Sequence, residues 1–154
     1  MKPLIIGHRG ASAYEPENTI GSFKKAIKLK ADAIELDIRK TKDNKIVVIH
    51  DKKVDRVTNG IGHVKDFTLK ELKKLNVRGK EKIPMLEEVL KIVDNKVKIF
   101  IEFKENGMER KVLSLIRKYK IKDFILVSFY KNILINLRRL NKNIELGLIT
   151  VEPF

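Results

Sequence analysis

The chain has 154 residues, 43% hydrophobic and 35% charged, which is the balance of a folded domain and excludes a disordered or fibrous chain. There is no cysteine, so disulfides, thiolate metal sites and thiol catalysis are excluded. Lys and Arg outnumber Asp and Glu by 34 to 20, a net charge of +14, which attracts anions but comes with only 6% aromatic residues and no Trp, a poor supply of base-stacking surface.

The elements follow one another as strands and helices. Leu4-Ile5-Ile6 reads as a short, fully buried strand that ends at Gly7-His8. Asn18 or Thr19 caps a helix whose apolar face is Ile20, Phe23 and Ile27. Ala33–Ile38 and Ile46–Ile49 are strands close enough in sequence to form a hairpin-like excursion. Thr58-Asn59-Gly60-Ile61-Gly62 is turn chemistry, and Thr68 with Glu71 forms a capping box for a short helix over 69–75. Pro84 starts a helix carrying Leu86, Val89, Leu90 and Val93 on one face. Val97–Phe103 is a strand, and Met108, Val112, Leu115, Ile116 and Tyr119 form a helical stripe. Phe124–Phe129 is a strand, Ile133, Leu137 and Leu140 mark a helix, and Ile144–Thr150 is the last strand. This alternation predicts an α/β fold with a parallel sheet.

Ionisable residues cluster where strands end. Glu35 and Asp37 occupy alternate positions of one strand, so both side chains face the same way. Glu102 and Lys104 repeat that spacing, while His8-Arg9 and His50-Asp51 end two other strands. In parallel α/β folds the C-terminal strand edge is where chemistry is done. Two like charges on one face repel unless a cation or proton lies between them. Oxygens from Glu35, Asp37 and Glu102 suit Mg²⁺ or Ca²⁺. Salt bridging to Arg39, Arg9 and Lys104 is the purely structural alternative. His8 and His50 can divide acid and base roles, and Arg9 and Lys104 can bind a phosphate. His63 lies in a turn segment without an acidic partner at useful spacing and reads as a surface residue.

The residues resemble the glycerophosphodiester phosphodiesterase family. The resemblance is carried by His8-Arg9-Gly10, Pro16-Glu17-Asn18-Thr19, Glu35-Leu36-Asp37, His50-Asp51 and Thr58-Asn59-Gly60 with Gly62. It continues through Ile83-Pro84 with Leu86-Glu87-Glu88, Glu102-Phe103-Lys104 and Ser128-Phe129. It covers essentially the whole chain, residues 1–154 as a single domain.

The resemblance implies a TIM (β/α)₈-barrel fold with a small family insertion over about 45–75. It implies metal ligands Glu35, Asp37 and Glu102 for one divalent cation, a catalytic pair His8 and His50, and phosphate contacts from Arg9 and Lys104. Glu17 would support the site as a hydrogen-bonding partner. The implied reaction is hydrolysis of a glycerophosphodiester, a small anionic substrate, to an alcohol and glycerol 3-phosphate. Lys30 stands where family members commonly have Gly, at a cost of about 1 kcal/mol if the backbone there has positive φ.

Only five barrel strands are counted, against a typical barrel length of about 250 residues. The last strand–helix units are therefore expected to be missing, which leaves open edges through which chains could self-associate. Two other readings are a truncated, inactive family member that retains only metal or phosphate binding, and a basic nucleic-acid-binding protein. The latter leaves the strand-end motifs unexplained. No apolar run is long enough to span a membrane, and no signal-peptide core follows Met1-Lys2-Pro3, so a cytoplasmic location is expected.

Overall fold

The computed structural model describes residues 3–151. In chain order the elements are β1 (Ile6–His8), α1 (Ile20–Lys28), β2 (Ala33–Lys40), β3 (Ile46–Val48), a 3₁₀ turn (Val64–Asp66), α2 (Leu69–Leu72) and α3 (Leu86–Val93). They continue as β4 (Lys98–Phe103), α4 (Glu109–Lys118), β5 (Phe124–Ser128), α5 (Lys131–Leu140) and β6 (Leu146–Leu148). Strands β1, β2, β4, β5 and β6 lie side by side in that order, all parallel, as an arc of barrel type. β3 pairs antiparallel with the end of β2, the expected hairpin excursion.

Period-two alternation sorts the strand residues. Ile34, Leu36 and Ile38 of β2 and Ile99, Ile101 and Phe103 of β4 belong to a core shared with Phe23 and Ala26 of α1, Val89 and Leu90 of α3, and Val112 and Ile116 of α4. The intervening residues, Glu35, Asp37 and Arg39 on β2 and Phe100 and Glu102 on β4, take the other face. The excursion has its own apolar cluster of Val47, Ile49, Val54, Val57, Val64, Leu72, Val77 and Ile83. It thus draws on residues beyond 75 to cover itself.

Helix starts follow the capping signals. Thr19, rather than Asn18, caps α1 through a reciprocal box with Ser22, and Thr68 with Glu71 caps α2. Both α1 and α4 end in a paired-carbonyl motif with a left-handed residue, at Lys30 (φ 59°) and Lys120 (φ 52°). In the first, the Lys30 N–H reaches the Ile27 carbonyl and the Ala31 N–H reaches Ala26.

Several boundaries differ from the sequence reading. α3 begins at Leu86, not Pro84, because the Pro84 carbonyl accepts the Val48 N–H and Met85 bridges Val47, which keeps this segment extended beside β3. α2 is a single turn ending at Leu72, and the last strand is confined to Leu146–Leu148. The largest difference is at the first strand. Leu4 and Ile5 are 61% and 64% exposed, and β1 starts only at Ile6. Among the described strands β1 has β2 as its single neighbour, so a run that reads as doubly buried lies at an edge.

Candidate active site

Strand register assembles the acidic cluster. Parallel pairing sets Asp37 of β2 beside Glu102 of β4, and His8 of β1 beside Glu35 of β2. One oxygen or more from each of Glu35, Asp37 and Glu102 lies within 4.8 Å of the others. Asp37 is fully buried, and the Glu35 side chain is 12% exposed.

Lys104, just past β4, partly neutralises this group. Its Nζ lies 2.5 Å from Glu102 Oε1 and 3.1 Å from Asp37 Oδ1, and 5.6 Å from the Phe129 ring centroid. Burial, reinforced by the Asp37 charge, pushes the Glu35 carboxyl up to about 8.

The turn after β1 closes over the cluster. Arg9 adopts a left-handed conformation (φ 58°), which directs its N–H to Glu35 Oε2 at 3.0 Å. Gly10 follows at φ 81°, and a Cβ there would fall 2.3 Å from Ser22 Oγ, so the turn requires glycine. The Arg9 guanidinium reaches Glu17 Oε1 at 3.1 Å and lies 3.5 Å from Asp37 Oδ2. The His8 side chain is 67% exposed, with Nε2 3.7 Å from Glu35 Oε2.

His50 arrives from the excursion. Its Nδ1 lies 2.6 Å from Asp51 Oδ1, and its carbonyl accepts from Arg39 Nε at 2.8 Å. Arg56 then joins the two halves. It donates to both Asp51 oxygens (2.7 and 3.1 Å) and to both Glu17 oxygens (2.7 and 2.9 Å). These hydrogen bonds hold the Asp51 and Glu17 carboxyls below the usual carboxylate range and raise the Arg56 guanidinium. A continuous polar chain therefore runs His50–Asp51–Arg56–Glu17–Arg9–Asp37.

Asn18 and Arg56 were missed as site residues by sequence reasoning, and Asp51 was read as a strand-end ionisable residue without a role. Asn18 is buried, donates through Nδ2 to Asp37 Oδ2 at 2.8 Å, and accepts from the Asp37 N–H at 3.4 Å. A signal existed for it: Thr19 alone suffices to cap α1, which leaves Asn18 for another task. Nothing in its spacing marks Arg56. His63, read as a surface residue without an acidic partner, keeps a side chain 45% exposed, but Asp66 Oδ2 lies 3.8 Å from its Nδ1. Its backbone bridges Lys53, and it lines a cleft beside Lys104.

The donors fit a hard divalent cation. Glu35 Oε1 is buried without a partner, and Asp37 Oδ1, buried without a hydrogen bond, meets only the Lys104 ammonium at 3.1 Å. Such oxygens are costly to keep dry. A cation bound between them would remove that cost, and three carboxylates are the hard oxygen donors such an ion takes.

The family model for the glycerophosphoryl diester phosphodiesterase family matches residues 8–153. The chain belongs to that family. It is 41% identical to the glycerophosphodiester phosphodiesterase of Caldanaerobacter subterraneus subsp. tengcongensis, over 100% of this chain and 71% of that protein. The crystal structure of the Thermotoga maritima glycerophosphodiester phosphodiesterase matches with a TM-score of 0.85 at 37% identity, over 99% of this chain and 65% of that one. An Oleispira antarctica phosphodiesterase, solved with its product sn-glycerol-3-phosphate, matches with a TM-score of 0.90 at 26% identity over 98% of this chain and 68% of that one. The chain thus spans about two thirds of the length of these family members. The five-strand arc with its excursion is this family's barrel fold over that span.

Proposed function

We propose that the protein hydrolyses glycerophosphodiesters to an alcohol and glycerol 3-phosphate. The observation that carries this is the convergence of Glu35, Asp37 and Glu102, with a buried, unpartnered oxygen on Glu35, inside a chain of this family.

In this reading Glu35, Asp37 and Glu102 hold one Mg²⁺ or Ca²⁺. When bound, that cation supplies positive charge to the phosphoryl oxygens and lowers the pKa of the nucleophile. The chain's own residues do the rest. Arg9 and Lys104 turn part of their donor capacity from the carboxylates to the phosphate oxygens and orient the phosphorus. Asp51 is an ionised acceptor, so it fixes the proton of His50 on Nδ1 and leaves Nε2 free to take or return a proton. His8, exposed at the rim, is the other proton carrier. One histidine takes the proton of the attacking hydroxyl, that of water or of a substrate alcohol whose cyclic phosphate water then opens, as the new P–O bond forms. The other gives a proton to the alcohol oxygen as its P–O bond breaks. Glu17 keeps Arg9 and Arg56 in register.

The test is release of glycerol 3-phosphate from glycerophosphocholine with Mg²⁺ or Ca²⁺. A folded, metal-loaded protein that hydrolyses no phosphodiester overturns the proposal. No helix among the described residues is long and apolar enough to cross a membrane.

A further inference from the structure

A cleft of about 510 Å³ opens beside Lys104, between the excursion and the loops after β4 and β5. Its volume is that of a small-ligand site. Arg39, Lys52, His63, Lys65 and Lys104 line it, with Asn106, Asn132 and Tyr130 as neutral polar groups. One carboxylate lines it, Glu105, and that one is already occupied: Oε2 pairs with Arg39 at 3.2 Å and Oε1 accepts the Lys40 N–H at 2.8 Å. Lys52 and Lys65 make no ion pair among the described residues and are exposed to the cleft mouth. Lys104 belongs at once to this cleft and to the carboxylate cluster, so the two adjoin at its ammonium.

We propose that this cleft receives a second anionic group, making the preferred substrates phosphodiesters in which one alcohol arm itself carries a phosphate. The inference rests on the reading of the carboxylate cluster as the phosphodiester site. The physical argument is charge. Glu105 offsets Arg39, Asp66 faces His63, and the two carboxylates beside Lys104 offset its ammonium, so Lys52 and Lys65 remain without an ion pair at the mouth of a concave site. A quaternary ammonium arm would meet two free ammonium groups there, and a neutral polyol would leave them unsatisfied. Tyr130 and the two asparagines supply hydrogen bonds to the neutral part of the arm.

The experiment compares kcat/KM for glycerophosphoglycerol with that for the same diester carrying a terminal phosphate on one glycerol. The wild-type protein is expected to prefer the phosphorylated diester. Lys52→Ala with Lys65→Ala is expected to reduce that preference about tenfold, with an unchanged melting temperature, and 0.5 M salt is expected to shrink it similarly. Equal rates on the two diesters, faster turnover of glycerophosphocholine than of either, or a preference that survives the double substitution would each overturn the proposal. If the protein turns over no diester, the hydrolytic reading fails separately. The cleft is then tested by calorimetric titration with 1,3-propanediol bisphosphate: tenfold weaker binding to the double variant upholds it, and equal binding to both proteins removes it.

Discussion

Glu35, Asp37 and Glu102 owe their positions to strand register, whereas the His50 ring, on backbone that leaves β3 where Ile49 pairs with Asp37, is oriented by side chains. The carboxylates are set by parallel register, Asp37 against Glu102 and His8 against Glu35, on strands whose opposite faces are packed in the main core. His50 stands on an excursion with a separate apolar cluster and is tied to the sheet by Arg39 at its carbonyl and by Arg56 through Asp51 and Glu17. The first arrangement can hold mutually repelling groups, because pairing and burial fix them whatever their charge. The second needs attraction at each link and is open to screening by salt. The fold thus confines its electrostatic conflict to the strand-held half and builds the half tied by side chains from compensating charges.

The largest effect should come from the strand-held half. Asp37→Asn and Glu35→Gln are each expected to lower kcat/KM on glycerophosphocholine about 10³-fold. Chelation should abolish turnover, with restoration by Mg²⁺ or Ca²⁺, and retention of activity in either substitution would break the division drawn here. Stability should move the opposite way. Glu35 holds its proton up to about pH 8 in the folded protein, against an ordinary value of 4.5. The folded state therefore binds more protons than the unfolded chain across that window, and stability falls as pH rises from about 4.5 to about 8. Chelated wild-type protein should lose melting temperature over this range relative to Glu35→Gln. Parallel melting curves for the two would contradict the assignment.

A smaller effect is expected from the attracting half. Arg56→Ala should lower kcat about 10- to 100-fold with a smaller change in KM, because it frees Asp51 and hence the His50 ring. Arg56→Lys should recover only part, since an ammonium cannot bridge two carboxylates in the way the planar guanidinium does. The deficit should grow little with added salt in the variant but appear with salt in the wild type. An unchanged kcat would show that His50 is held by its own packing.

Smaller still are the helix ends, which belong to neither half. Lys30→Gly and Lys120→Gly should each stabilise the fold by about 0.5–1 kcal/mol, read from the urea midpoint, with activity unaffected. A loss of stability would mean that these lysines contribute contacts that outweigh backbone strain. Association through the β1 and β6 edges should give a mass above that of one chain in light scattering, with little effect on turnover. A single-chain mass would dismiss it.

The strand-held half was the legible half. Glu35 and Asp37 violate the apolar alternation of a buried strand, and Glu102 and Lys104 violate it again, so period two alone puts them on one face. Which strands neighbour each other follows from parallel connectivity. The attracting half was harder to read because its partners are set by loops. Asp51 and Arg56 sit five residues apart in a segment with no periodicity, and Glu17 reaches them from another loop 39 residues away from Arg56. Asn18 was taken for a possible cap because local hydrogen bonding is the commoner use of that residue there. Leu4–Ile6 misled for a different reason. Composition registers how apolar a strand is, but not whether it has one neighbour or two.

β2 is hydrogen-bonded along its length to β4, at its start to β1 and at its end to β3, whereas β1 has three residues and one partner. Strands held on both sides open last in native-state fluctuations, and short edge strands open first. Among the described strands, warming is therefore expected to loosen His8 and Arg9 before Glu35, Asp37 and Glu102 separate. If the carboxylates hold the proposed cation, turnover should cease at a temperature at which that cation is still bound, and cooling should restore it.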